Sequence, residues 1–136
     1  MSDYFINSMG YVGAKDELDL HRQIINGEVK IQGLKFVKHH PRFQQENAIP
    51  DFLFLDKKTG RKVYVEVKPW FLSVSDIQQI VKYWIVIHER HEEADLAVLC
   101  GGVSEEREEL LRRLEIRIYL LKEVVSPLIT FLFGEQ

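Results

Sequence analysis

The chain has 136 residues, 46% of them hydrophobic and 29% charged, with a formal net charge of -3. That is one globular domain over residues 1–136, not a disordered or multidomain chain. The single cysteine, Cys100, excludes an internal disulfide, no apolar stretch reaches the length of a membrane span, and the start lacks a leader pattern; a cytoplasmic protein without membrane association is expected. Net charge argues against a basic nucleic-acid coat. Its placement does not: residues 28–70 balance to +4 and residues 71–136 to -5, so an anionic partner is expected at the middle of the chain.

In chain order, an amphipathic helix is expected from about Ala14 to Asn26, stopped by Gly27 in a left-handed conformation. A short strand around Leu34–Lys38 and a polar loop, HHPRFQQEN, come next. Two β-rich runs, DFLFLD (51–56) and RKVYVEVK (61–68), flank a KKTG turn, and Pro69 ends the second run. A second helix opens at Ser75, with Gln78 completing a capping box. It runs to about His91, with Ile77, Ile80, Val81, Trp84, Ile87 and His88 on one face. ADLAVLC (94–100) reads as a buried strand parallel to 61–68, because a helix connects the two. A third helix (Glu105–Leu114) and a last strand, IRIYLL, complete the order α-β-β-β-α-β-α-β. The fold class is α/β, a central mixed sheet flanked by helices.

Pairing the two β runs across KKTG sets Leu55 against Lys62, Leu53 against Tyr64 and Asp51 against Glu66. Phe52, Phe54, Val63, Val65 and Val67 then share a wholly apolar face, and a one-residue slip would mix the faces. Asp51 and Glu66 would have Cβ atoms about 4.5–5.5 Å apart, a destabilising pair of like charges. Lys68 projects from the same face. Two converging carboxylates suit a hard divalent cation, which can acidify a bound water and stabilise charge on phosphorus. A lysine beside them suits a phosphate or the attacking water.

IPD (49–51) followed by VEVKP (65–69) resembles the PD-(D/E)XK nuclease superfamily, with Pro50–Asp51 and Glu66–Val67–Lys68 in its motif positions. PDF and EVKP look like the endonuclease subunit of heteromeric transposases, and the length and layout look like archaeal Holliday-junction resolvases. The helix before the hairpin and the β–α–β after it match the superfamily's restriction-endonuclease-like αβββαβ core, over about residues 14–100. The resemblance implies a metal-dependent deoxyribonuclease using Mg²⁺, with Mn²⁺ able to substitute. It implies Asp51, Glu66 and the Val67 carbonyl as metal ligands and Lys68 as the residue that positions water. It also places a glutamate on the first helix at the site. Glu17, at the edge of the apolar stripe, is the preferred candidate, against a plain solvated helix charge. Gln79 and Tyr83, one turn apart, resemble the Q-x-x-x-Y motif of RecB-type nucleases, against an ordinary helix rim.

Lys38, His40, Arg42, Lys57, Lys58, Arg61, Lys62 and Tyr83 are the candidates for gripping DNA. His39 and His40 read equally as simple loop histidines. Trp70 and Phe71 read as base-stacking or as packing residues. The apolar end, VVSPLITFLF, reads as a cover for the sheet or a homodimer contact, and a domain this small is expected to need a second copy or a protein partner to align two sites. The rival reading is a non-catalytic nucleic-acid-binding or assembly module that keeps the fold. An RNA-directed nuclease is a third.

Overall fold

The structure, a computed structural model, describes residues 17–40 and 50–124. The expected start of the first helix before Glu17, Arg42 with the rest of residues 41–49, and the apolar end beyond Val124 lie outside the described residues; His39 of the expected loop is instead the last residue of a strand.

Helix α1 (Glu17–Ile25) is followed by β1 (Leu34–His39), β2 (Phe52–Asp56), β3 (Lys62–Phe71), α2 (Val74–Glu89), β4 (Ala94–Gly102), α3 (Glu105–Arg113), β5 (Arg117–Leu120) and a 3₁₀ turn, Leu121–Glu123. The expected order of elements holds. The five strands form one sheet in the order β1-β2-β3-β4-β5. β1, β2 and β3 pair antiparallel, whereas β3, β4 and β5 pair parallel through α2 and α3. The sheet is mixed for a simple reason: a tight turn can join only antiparallel neighbours, and parallel ones need a crossover.

The β2–β3 register is the one the hydrophobic pattern demands, with Phe52 opposite Val65, Leu53 opposite Tyr64 and Leu55 opposite Lys62. Phe52, Phe54, Val63, Val65 and Val67 pack under α1 with Leu20, Ile24 and Leu99. On the other sheet face, Ile77, Ile80 and Ile87 of α2 and Leu111 of α3 cover Leu96, Val98 and Cys100 of β4. Cys100 is fully buried, as expected for a structural thiol, and burial pushes its pKa up to about 12. Gly27 ends α1 with φ +77°.

Two expectations need correction, and one strand has an irregularity the sequence does not show. The cap of α2 is Ser73 rather than Ser75: its hydroxyl accepts the Asp76 N–H at 3.1 Å, and Asp76 accepts the Ser73 N–H at 2.8 Å. Asp76 wins over Gln78 because it also receives the Trp70 indole N–H, at 2.8 Å, which fixes the corner before the helix. Pro69 does not end β3. The ladder to β4 shifts register between Lys68 and Phe71, and a residue without an N–H is tolerated at such an irregularity. Finally, β1 is not regular, since a bulge lies between Phe36 and Lys38.

Candidate active site

The site forms where the start of β2, the middle of β3 and the first turns of α1 meet. Asp51 sits at the bend that opens β2 and is fully buried, as is Glu66; Lys68 is 7% exposed. Buried carboxylates need compensation, and each receives it from the other's strand. The Val67 N–H donates to Asp51 Oδ2 at 2.9 Å, and the Asp51 N–H donates to Glu66 Oε1 at 3.2 Å. The hairpin backbone therefore clamps both side chains. Lys68 Nζ lies 3.5 Å from Glu66 Oε2 and 5.8 Å from the centre of the Trp70 ring. These three residues come together as the sequence pattern requires.

α1 brings a fourth and a fifth group. Leu20 and Ile24 bury its apolar stripe, which leaves Glu17 and His21, one turn apart, facing the start of β2. His21 Nε2 lies 3.6 Å from Glu17 Oε2 and 3.6 Å from Asp51 Oδ2. Glu17 thus does look toward the site. Donor atoms of Glu17, His21 and Asp51 all fall within 4.8 Å of one another; Glu66 lies beside this group rather than within it. His21 Nε2 is buried and has no hydrogen-bond partner. A buried nitrogen at ion-pair distance from two carboxylates, but too far from either for a hydrogen bond, fits a cation that would bond to all three. His21 is the residue that sequence reasoning missed. Its spacing of four from Glu17 was the available signal, hidden because a histidine on a helix stripe reads as packing.

The basic candidates divide. Lys38 is exposed near the site end of β1. His40 is buried, not exposed in a loop: its ring packs 6.0 Å from that of Tyr64, and burial, then the Lys38 and His39 charges, lower its pKa. Lys57, Lys58 and Lys62 are exposed, but Lys57 lies six residues along the strand from Asp51, about 20 Å away. Arg61, at the same far end, is paired with Asp95 at 3.1 Å. The burial of Tyr83 disfavours the DNA-gripping role expected for it. Its side chain is 4% exposed and belongs to the core between α2 and the sheet, because the apolar stripe of α2 is wider than the one read from the sequence. Gln79, one turn earlier, is half-buried. Trp70 is half-buried, its indole N–H donating to Asp76, while Phe71 is 52% exposed.

No family model matches the sequence, and no curated protein does. Solved structures do match. EndoMS in its apo form superposes with a TM-score of 0.61 at 18% identity, over 82% of this chain and 47% of that one. An EndoMS–dsDNA complex superposes at 0.57 with 19% identity, over 78% and 43%. A repair endonuclease from Pyrococcus abyssi gives 0.52 and 19%, over 71% and 40%. This chain therefore spans less than half the length of each. It shares the fold of these endonucleases, as the resemblance to the PD-(D/E)XK superfamily implies.

Proposed function

We propose that the protein is a metal-dependent nuclease that hydrolyses phosphodiester bonds in DNA. The observation that carries this reading is the position of His21 Nε2, buried without a hydrogen bond and 3.6 Å from carboxylate oxygens of both Glu17 and Asp51. A solvated charge cluster would not bury such an atom. The likeness in fold to endonucleases, one of them in complex with double-stranded DNA, supports DNA as the substrate.

Glu17, His21 and Asp51 would hold a divalent cation, Mg²⁺ or Mn²⁺, with Glu66 and the Val67 carbonyl as further ligands; the imidazole nitrogen suits Mn²⁺ better than Mg²⁺, which takes oxygen ligands. When bound, such an ion acidifies a water and screens charge on phosphorus. The protein's own part is preorganisation. Asp51 and Glu66 are held by each other's backbone, so neither has to reorient as charge develops. Lys68, 3.5 Å from Glu66 Oε2, orients the attacking water and neutralises the phosphoryl oxygens. Gln79 assists from the rim of α2. As the water oxygen bonds to phosphorus, one P–O ester bond breaks; the water's proton passes to solvent and the leaving oxygen takes one up from it. Lys38 contacts the backbone beside the site. A second copy of the chain or a partner protein would align a second site for the other strand.

The test is a cleavage panel with Mg²⁺ or Mn²⁺, using supercoiled plasmid, four-way junction, flap, single-stranded DNA and RNA. Cleavage of a DNA substrate by the wild type, lowered at least ~100-fold by Asp51→Asn and by Lys68→Ala, is expected. Undiminished cleavage by either variant would sink the assignment. Binding of DNA without cleavage would favour an assembly module.

A further inference from the structure

We infer that His39 is a positioning residue that sets the tautomer and orientation of His21; this rests on the metal reading above. His21 Nδ1 lies 3.2 Å from His39 Nε2, and the two rings meet edge to face with centroids 5.2 Å apart. Both rings also pack on Phe52, each with its centroid 4.9 Å away. His21 is therefore fixed on three sides: Phe52 at its face, His39 at Nδ1, and the two carboxylates around Nε2.

The contact is made by the β1 bulge. Phe36 pairs with Phe54 and His39 with Phe52, so three steps along β1 match two along β2. In a regular strand, Phe36 and His39 would point to opposite faces. The extra residue returns His39 to the face of Phe36, Phe52 and Phe54, the face on which α1 packs. Bulges beside active sites re-aim side chains in this way. Without it, His39 would point away from His21.

The chemistry follows from the proton count. A neutral imidazole carries one N–H, and only its other nitrogen can bind a cation. For His21 Nε2 to face the site as a lone pair, Nδ1 must carry the proton and His39 Nε2 must accept it. His39 is then the outer partner that ligating histidines depend on. Were the bond reversed, with His39 donating, His21 would present an N–H to the carboxylates and could not bind a cation.

The experiment is titration of metal-free protein with Mn²⁺, followed by calorimetry and by the loss of the free-ion EPR signal, with no DNA present. His39→Phe keeps a ring on Phe52 and deletes the acceptor; it is expected to weaken Mn²⁺ binding by about tenfold or more. His39→Gln places its carbonyl oxygen as many bonds from Cα as Nε2 is, and should restore most of the affinity. His39→Asn, one bond shorter, should not. The Gln–Asn contrast decides the matter if the Phe variant does not fold. Wild-type affinity in His39→Phe, or equal losses in the Gln and Asn variants, would overturn the inference. If Asp51→Asn abolishes Mn²⁺ binding in those circumstances, the metal site itself still stands. No Mn²⁺ binding by the wild type would remove both.

Discussion

Lys68 and Tyr83 show why burial alone does not separate function from packing. Both are nearly inaccessible, at 7% and 4% exposed. Lys68 pairs with Glu66 at 3.5 Å and lies 5.8 Å from the centre of the Trp70 ring, and a buried ion pair is a costly way to fill space. Its replacement should therefore hurt catalysis. Tyr83 sits among Ile80, Ile87, Leu96 and Val98, where an aromatic side chain contributes mainly by the apolar surface it removes from water. Tyr83→Ala is expected to destabilise the protein by about 3 kcal/mol through the cavity it leaves. Urea unfolding at equilibrium checks this. Tyr83→Phe, which keeps the ring, should retain DNA affinity and cleavage. A loss of affinity in that variant, at unchanged stability, would return Tyr83 to the substrate interface. His21 is the opposite case, an amino acid with an ordinary place on a helix stripe whose chemistry emerges only from what faces it.

Among the elements, the β2–β3 hairpin was legible from residues 51–68 alone. Strict alternation leaves one register in which Phe52, Phe54, Val63, Val65 and Val67 share a face, and that register puts Asp51 beside Glu66 without further information. The helix α1 and strand β1 were legible as elements but not in what they deliver. A bulge costs one residue and leaves no mark in composition, so the alignment of His39 with His21 could not be read from sequence. The α2 start was misplaced for a related reason: Ser73 and Ser75 both offer a hydroxyl, and the choice falls to Trp70, whose indole recruits Asp76. Ser73→Ala is accordingly expected to cost about 1 kcal/mol, whereas Ser75→Ala should be close to neutral; a thermal melt distinguishes them. The turn at the far end of the hairpin has its own anchor. Asp56 accepts the Lys58 N–H at 2.8 Å and pairs with Arg117 of β5 at 2.9 Å, which lowers its carboxyl pKa from the usual 3.8, the Lys58 hydrogen bond contributing most. A lowered carboxyl pKa means the unfolded chain binds the proton more readily. The stabilisation is thus complete above about pH 4 and is lost as pH falls through the folded value. Asp56→Asn should melt lower than wild type at neutral pH, with the gap closing in the acid limb.

At the scale of the whole molecule, the site joins parts that are remote in sequence: Glu17 and His21 from α1, Asp51 from the start of β2, Glu66 and Lys68 from β3. Among the described residues, the basic excess of residues 28–70 does not form one grip. Lys57, Lys58 and Lys62 lie at the end of the hairpin away from Asp51, and Arg61 is paired with Asp95. Lys38 remains at the site end. The net charge of -3 then understates how well the site end suits an anion, because a bound cation would offset the clustered carboxylates. Such an ion would also tie α1 to the hairpin, and a ligand that binds only the folded state stabilises it by RT times the logarithm of one plus the ratio of free ligand to dissociation constant. At a hundredfold excess over the dissociation constant, the gain is about 2.7 kcal/mol, or roughly 10 °C in melting temperature for a domain of this size. Mn²⁺ added to metal-free protein should therefore raise the melting temperature of the wild type by that order. Asp51→Asn and His21→Ala should each remove most of the shift. Lys58→Ala, remote from the site, should keep it. A shift of equal size in all four proteins would place the cation elsewhere on the surface, and α1 would then have no part in holding it.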